Sequence, residues 1–307
     1  MKTQLMILLT MIGVFSSGCT EVAATSSITP TVTRTIEPFL PSPSPSSTLT
    51  PLPTLTAEEA YSRLLELIQN NAGCSLPCLW GITPGLSTTA EARDVLLPYT
   101  GIAELSVLPI TDGGGISLQY PIDDSHINLD LDYIPSSGSQ TINAIYLKTQ
   151  AFHNGGDPAQ DRSYYGSELY AEKLNLFTLH TILSTYGVPS EVLVFIEPSL
   201  PKYFNLRILY PENGIFLSYG TFVEEQGANY LGCPSKMFVS LYLLSPESSN
   251  NYQEVLPTIG PDFYNVYPIS DFKPLGEAVN LSLDEFYQKF KDPTGICLET
   301  PKAIWWP

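Results

Sequence analysis

The apolar positions from Thr56 onward first follow a helical period. Thr56 and Glu59 form a capping box ahead of apolar residues that recur at helical spacing, so a helix is predicted from about 57 to 70. A second capping box, Thr88 with Glu91, begins a shorter helix that must end near the next proline. The chain therefore enters its folded part as two consecutive helices.

The period then changes to that of strands. Four strands are predicted at about 102–108, 116–121, 126–133 and 141–148, separated by turn residues as in an antiparallel meander. The clearest alternation lies in the third strand, where every second residue from Ile127 to Tyr133 is apolar. This pattern indicates a strand with one buried face and one solvated face.

The same order of elements recurs further along. Tyr164–Leu174 and Thr178–Tyr186 are predicted helices, and Asn213 with Gly214 is a strong hairpin signal within the strands that follow. These strands are predicted at about 191–196, 205–210, 214–219 and 236–243. The predicted fold is α+β, with two tandem repeats of two helices and a four-stranded antiparallel sheet.

The element order divides the folded part into three predicted segments. We expect the repeats at 57–160 and 161–244, followed by a C-terminal extension at 245–307 that packs on the second repeat. The extension is rich in Pro, Asn and Ser up to about residue 280, so we expect it to be irregular there. Ser282 and Glu285 then form a capping box for a last short helix.

The N-terminus has the order of a secretory signal. Residues 1–18 contain a lysine, an apolar run too short to span a bilayer comfortably, and small residues directly before Cys19. The small residues before the cysteine resemble the lipobox of bacterial lipoproteins, which implies that Cys19 is the lipid attachment site; the alternative is ordinary cleavage near Ala23 and Ala24. Residues 19–56 are predicted to be a disordered tether, since 23 of the 37 residues from Thr20 to Thr56 are Ser, Thr or Pro.

Charge limits the classes of partner. The chain has 307 residues with 14 Lys and Arg against 31 Asp and Glu, which gives a formal net charge of -17. Nucleic acid is therefore not an expected partner, because phosphate binding needs clustered basic residues. We expect an extracytoplasmic, lipid-anchored protein of the cell membrane or outer envelope, with the membrane as one partner and an envelope protein or a glycan as another.

Two short motifs carry a resemblance to known families. Gly81-Ile82-Thr83 with Gly85 precedes the second helix, and Gly187-Val188-Pro189 ends the corresponding later helix. Together with the repeated element order, they resemble the fold of the beta-lactamase inhibitor protein, whose single-copy relatives include outer-membrane assembly lipoproteins of the SmpA/OmlA type. The string from Cys74 to Gly85 is similar to a segment of bacterial lipoproteins with Pro/Thr-rich stalks. The resemblance concerns the fold, and no binding residue is carried over from it.

Four cysteines remain besides Cys19. An even number in an exported domain favours disulfides over metal or redox chemistry, and four cysteines allow three pairings. The short spacing of Cys74 and Cys78 lets them close a small loop, which leaves Cys233 and Cys297 as a long-range bridge. No histidine completes a zinc site, so no metal and no cofactor are expected.

Two function hypotheses follow. The first is a non-enzymatic binding or scaffold protein, because no catalytic motif is recognisable. Five strand aromatics are its candidate binding surface, and the alternative is that most of them belong to the core: Tyr210, Phe216, Tyr219, Phe238 and Tyr242. The second hypothesis is an extracytoplasmic hydrolase with a carboxylate site made of Asp123, Asp124, Asp130 and Asp132 working with His126.

Overall fold

Three helices of the computed structural model begin where the capping boxes predict. The described residues are 55–99, 105–107, 114–122, 125–153, 174–197, 202–233, 237–259, 269–293 and 296–305. Their α-helices are α1 (Ala57–Asn70), α2 (Thr89–Leu96), α3 (Leu179–Tyr186), α4 (Pro246–Asn250), α5 (Tyr252–Val255), α6 (Leu275–Val279) and α7 (Leu283–Phe290). At α1, the backbone N–H of Glu59 donates to Thr56 Oγ1 at 3.3 Å and that of Thr56 donates to Glu59 Oε2 at 2.9 Å. Reciprocal capping boxes also begin α2 and α7.

Each of the eight predicted strands has a counterpart in the structure. The strands of the described residues are β1 (Leu105–Val107), β2 (Gly114–Ile122), β3 (Ser125–Pro135), β4 (Ile142–His153), β5 (Glu191–Glu197), β6 (Tyr203–Tyr210), β7 (Ile215–Phe222), β8 (Glu224–Gln226), β9 (Asn229–Gly232), β10 (Phe238–Leu244), β11 (Lys273–Pro274) and β12 (Leu298–Pro301). The fold is mixed α+β with antiparallel sheets. The predicted helix at 164–174 lies outside the described residues, apart from Leu174.

Nine strands form one large sheet. Their order is β1-β2-β3-β4-β10-β7-β6-β5-β11, and every pair of neighbours is antiparallel. The hairpin predicted at Asn213 and Gly214 connects β6 to β7, and Gly214 takes the left-handed conformation at φ 67°. Because β4 and β10 pair at the centre, strands from distant parts of the chain share one hydrogen-bonded sheet.

The main core lies on one face of this sheet. Ile127, Leu129 and Leu131 of β3 are buried there, as the alternation predicts, and α1, α2, α3 and α7 contribute buried residues to the same cluster. Their burial supplies much of the folding free energy, at roughly 25 cal/mol per Å² of apolar surface. We call this the helix face of the sheet and the opposite side the second face.

The C-terminal extension is more regular than expected. Residues 245–280 were predicted to be irregular, but the described part forms α4, α5 and α6. Ser245 caps α4, with Ser248 N–H donating to Ser245 Oγ at 3.3 Å, and Pro246 occupies the first helical position. These short helices give little periodic signal, so local sequence patterns did not identify them.

A second sheet was not predicted. Strands β12, β9 and β8 form a three-stranded antiparallel sheet, with β8 and β9 connected through Gly227 at φ 56°.

None of the helices in the described ranges combines the length and the apolar character that a bilayer crossing requires.

Candidate functional site

The second face of the large sheet has a covered part and an open part. Over β10, β7, β6 and β5, apolar residues of the C-terminal extension pack on the strands; Tyr252, for example, stacks on Phe216 with ring centroids 5.1 Å apart. Ala144 and Tyr146 of β4 belong to this covered part, whereas residues 128–132 of β3 and 148–150 of β4 present half-buried polar side chains on the second face. We call these the open polar face, which consists of Asn128, Asp130, Asp132, Lys148 and Gln150.

Strand register arranges the open polar face in cross-strand pairs. Asp130 lies directly opposite Lys148, and Asn128 directly opposite Gln150. Strand β2 lies on the other edge of β3, and there Ser117 Oγ donates to Asp130 Oδ1 at 2.5 Å. Directly opposed side chains on a sheet lie about 5 Å apart, so amide, carboxylate and ammonium groups meet on one surface. Such a surface can donate and accept several hydrogen bonds at once.

The carboxyl group of Asp132 on this face has a raised pKa. Burial raises the pKa of its carboxyl above the ordinary value of 3.8, and the negative charge of Asp130 raises it further. Within the described residues, no group of three or more His, Cys, Asp or Glu side chains is arranged to hold a metal ion. The face therefore offers hydrogen bonds and charge, with one carboxyl that takes up a proton more readily than usual.

The raised pKa predicts a pH-dependent effect of Asp132→Asn on stability. An Asp with a raised pKa in the folded state destabilises the fold when its carboxyl is ionised. The destabilisation begins as pH rises above the ordinary pKa of 3.8 and is complete once pH exceeds the folded-state pKa. We expect Asp132→Asn to have a higher free energy of unfolding than wild type at about pH 7 and the same value at about pH 3. Urea unfolding at both pH values measures this, with the exposed Glu277→Gln as control. A lower value for Asp132→Asn at neutral pH would contradict the assignment.

The five aromatics proposed as a binding surface lie in the interior, so that hypothesis is wrong for the fold observed. Their exposed fractions lie between 0% and 9%. Tyr210 and Tyr219 belong to the helix face, where their hydroxyls donate to Gly187 O at 2.9 Å and Phe177 O at 3.0 Å. On the second face, the extension covers Phe216 and Tyr242, and Phe238 is buried on the same strand as Tyr242. The alternative, that these residues belong to the core, is supported.

The cysteines lie in two pairs at disulfide distance. Cys74 pairs with Cys78, with Cα atoms 5.8 Å apart, and Cys233 pairs with Cys297, with Cα atoms 4.1 Å apart. This agrees with the expected disulfides. The first closes a small loop after α1, and the second connects the end of β9 to the residue before β12.

A cleft that the sequence did not predict lies beside the first disulfide. It has a volume of about 100 Å³ and lies between the Cys74–Cys78 loop and helix α3, with Thr181, Thr185 and Tyr186 on the helix side. The cleft is therefore large enough to hold several waters. The pairing of distant segments that creates it leaves no local sequence signal.

Asn71 organises that loop. Its side-chain Nδ2 donates to the carbonyl oxygens of Cys74 and Cys78, each at 2.8 Å, and its Oδ1 accepts from the backbone N–H of Trp80 at 2.9 Å. Asn71 takes the left-handed conformation at φ 55°, which asparagine tolerates better than most residues. One buried amide therefore holds both ends of the disulfide loop and the backbone of Trp80, two positions after it.

The remaining predicted site residues are not brought together in the described parts of the chain. Cys19, Asp123 and Asp124 lie outside the described residues, as does the side chain of His126.

Comparisons of this chain with models of protein families, with curated proteins and with solved structures find no match.

Proposed function

We propose that this protein is a membrane-anchored extracytoplasmic lipoprotein that binds a polar envelope ligand through its open polar face. The signal-like residues 1–18, Cys19 and the Ser/Thr/Pro-rich tether support the location. The two cysteine pairs at disulfide distance support an oxidising compartment. In this proposal the tether holds the folded part away from the membrane surface.

The side-chain chemistry of the open polar face supports one class of ligand over another. Its side chains are amides, carboxylates and an ammonium group presented by two neighbouring strands. The large apolar side chains exposed among the described residues are Leu86, Val188 and Ile296, none of which belongs to this face. Protein interfaces usually contain an apolar core. A glycan, whose hydroxyl groups pair with planar polar side chains, therefore fits this face better than a protein does.

A glycan array tests the proposal. The probe is the chain from residue 19 onward carrying Cys19→Ser, with both disulfides intact, applied to envelope polysaccharides and peptidoglycan fragments. We expect a retained glycan, and we expect Asp130→Asn to weaken binding about tenfold because a charge-assisted hydrogen bond is lost. Glu277→Gln removes a distant exposed carboxylate and should bind like wild type. Equal binding by Asp130→Asn and Glu277→Gln would contradict the assignment of the face.

The proposed anchor has its own test. We expect Cys19→Ser to release the protein from the membrane fraction, because acyl chains contribute about 0.8 kcal/mol per buried CH₂ and the mutant cannot carry them. Fractionation after labelling with a fatty-acid analogue measures the effect. Membrane retention of the unlabelled mutant would contradict lipidation at Cys19.

We also propose the tandem plan for the fold. Strands β1 to β4 would form the sheet of the first repeat, and β5, β6, β7 and β10 that of the second, with β8 and β9 inserted before its last strand. The pairing of β4 with β10 supports this division, since it would join two meanders edge to edge. The repeat boundaries at 57–160 and 161–244, with an extension at 245–307, remain predictions of the same plan.

The hydrolase hypothesis remains a second candidate. The observation that favours it is the presence of two half-buried carboxylates, Asp130 and Asp132, two residues apart on one strand face, one of them with a raised pKa. Paired carboxylates act as acid and base when their environments separate their pKa values. Turnover of an array glycan that Asp132→Asn abolishes would favour this candidate over binding alone.

A further inference from the structure

One row across the second face combines an amide, a glycine and aromatic rings. Register places Phe238 of β10 opposite Gly220 of β7, and Gly220 opposite Asn205 of β6. Phe195 of β5 lies on the other side of Asn205. Directly opposed positions on a sheet are about 5 Å apart. Asn205 therefore lies between an aromatic residue and a position that has no side chain.

Asn205 is a buried amide without a hydrogen-bond partner. It is 0% exposed, and within the described parts of the chain neither its Oδ1 nor its Nδ2 atom is hydrogen-bonded. It lies four positions before Leu209 on β6, so its side chain projects from the second face. Buried side-chain polar atoms are nearly always hydrogen-bonded. An interior amide with an unused donor and an unused acceptor indicates a ligand that supplies both partners.

Gly220 leaves the place beside Asn205 to an aromatic ring. The ring of Phe238 lies over the glycine Cα, where an added Cβ would overlap its Cζ atom. This ring is the end of a side chain that can rotate about its χ1 and χ2 torsions, so it can leave this place without a change of the backbone. Rotation of Phe238 would then open a space that has Gly220 as its floor and Asn205 at its side.

Further aromatic rings lie at this end of the second face. Tyr203 lies two residues before Asn205 on β6, and its ring contacts that of Phe222 on β7 with centroids 4.6 Å apart. Tyr203, Phe222 and Phe195 are half-buried, so part of each reaches the surface. Aromatic side chains provide a large, flat apolar contact area. A ligand that reaches Asn205 therefore meets apolar rings around one planar polar group.

These groups indicate the class of the ligand. Nδ2 of Asn205 requires an acceptor, and Oδ1 requires a donor directly beside it. Two adjacent hydroxyl groups of a sugar supply both, because each hydroxyl donates one hydrogen bond and accepts others. The C–H face of a sugar ring is apolar and packs on aromatic rings. A neutral sugar unit thus fits this place without any contribution from charge.

We propose that Asn205, Gly220 and Phe238 form a gated subsite for a neutral sugar unit, in which two adjacent hydroxyls of the sugar pair with the Asn205 amide. The ring of Phe238 is the gate, and it leaves Gly220 when the sugar enters. This inference rests on the proposed glycan binding and adds a second contact to it. Strand β6 lies three strands from β4 of the open polar face, roughly 14 Å away, so a glycan of several units reaches both.

NMR of the Asn205 side chain tests the subsite. The chain from residue 19 carrying Cys19→Ser is labelled with ¹⁵N and titrated with cellotetraose. We expect the side-chain NH₂ signal of Asn205, identified by its loss in Asn205→Leu, to shift. The NH₂ signal of Asn71 should not, because this buried amide already donates to two carbonyl oxygens.

The same titration separates the subsite from the open polar face. An unchanged Asn205 signal, at cellotetraose concentrations that shift backbone signals of β3 and β4, would overturn the subsite and leave the proposed glycan binding standing. Unchanged signals throughout the chain would also overturn the subsite, while the glycan array tests the proposed function separately.

Two substitutions and a matched control measure the effect on cellotetraose affinity by calorimetry. Asn205→Leu removes two polar atoms without partners, so it should fold and bind about tenfold more weakly. Phe238→Leu withdraws the ring from Gly220 and should bind several-fold more tightly, because no ring has to move. Ser240→Ala is the control and should bind like wild type, since Ser240 is also buried with an unpaired hydroxyl but lies in the neighbouring row. Equal affinities of Asn205→Leu and Ser240→Ala, or weaker binding by Phe238→Leu, would overturn the proposal.

Discussion

Replacing Cys233 and Cys297 with serine is expected to lower the free energy of unfolding by about 4 kcal/mol. The bridge closes a loop with a sequence separation of 64 residues, which includes β10 and the helices of the C-terminal extension. In the chain-entropy account a bridge stabilises the fold by restricting the unfolded chain, and the effect grows with the logarithm of the loop length. This bridge also connects β9 to the segment that enters β12, so its loss frees one end of the small sheet.

The second disulfide provides the internal comparison. Cys74 and Cys78 are separated by four positions, for which the same account gives about 2 kcal/mol. Urea unfolding of the two double-serine variants under one set of conditions measures both values. A larger loss for Cys74→Ser with Cys78→Ser than for the long-range pair would contradict the entropic account.

Asn71→Ala is expected to destabilise the protein by about 3 kcal/mol, because it leaves the Trp80 N–H and two loop carbonyls without their partner. Asn71 is 4% exposed, so water does not readily replace the lost amide. The substitution also puts alanine into the left-handed conformation, which costs about 1 kcal/mol by itself. The expected loss therefore combines a backbone contribution with a larger hydrogen-bonding contribution.

Asn280→Ala separates these two contributions. Asn280 follows α6 with φ 54°, nearly the same backbone conformation as Asn71, but it is exposed. We expect this control to lose about 1 kcal/mol in the same urea experiment. Equal losses at both positions would show that the hydrogen bonds of Asn71 contribute nothing and would contradict our account of the loop.

Local patterns predicted the elements whose signals lie within a few residues. The capping boxes at Thr56, Thr88 and Ser282 placed three helix starts, because a side chain that satisfies its own helix end acts over three positions. Alternation in β3 predicted its buried side, since successive strand residues point to opposite faces. Both signals are independent of the rest of the fold.

Contacts between residues that are distant in the sequence were harder to predict. The alternation of β7 and β10 does not say that a C-terminal segment covers their second face, so Phe216 and Tyr242 were considered surface candidates although both are 0% exposed. The cleft beside Asn71 depends on α3, which lies over 100 positions further along the chain. The alignment of Lys148, Ser240, Ser218 and Arg207 across the sheet depends on the register of four strands, which turn residues alone do not determine.

The central claim is that the open polar face binds the ligand, and carboxylate footprinting tests it most directly. Carbodiimide labelling of Asp130, Asp132 and the distant Glu277 is measured by mass spectrometry with and without the glycan that the array retains. Our account predicts that the glycan lowers labelling of Asp130 and Asp132 severalfold and leaves Glu277 unchanged. Unchanged labelling of both aspartates at saturating glycan would contradict it.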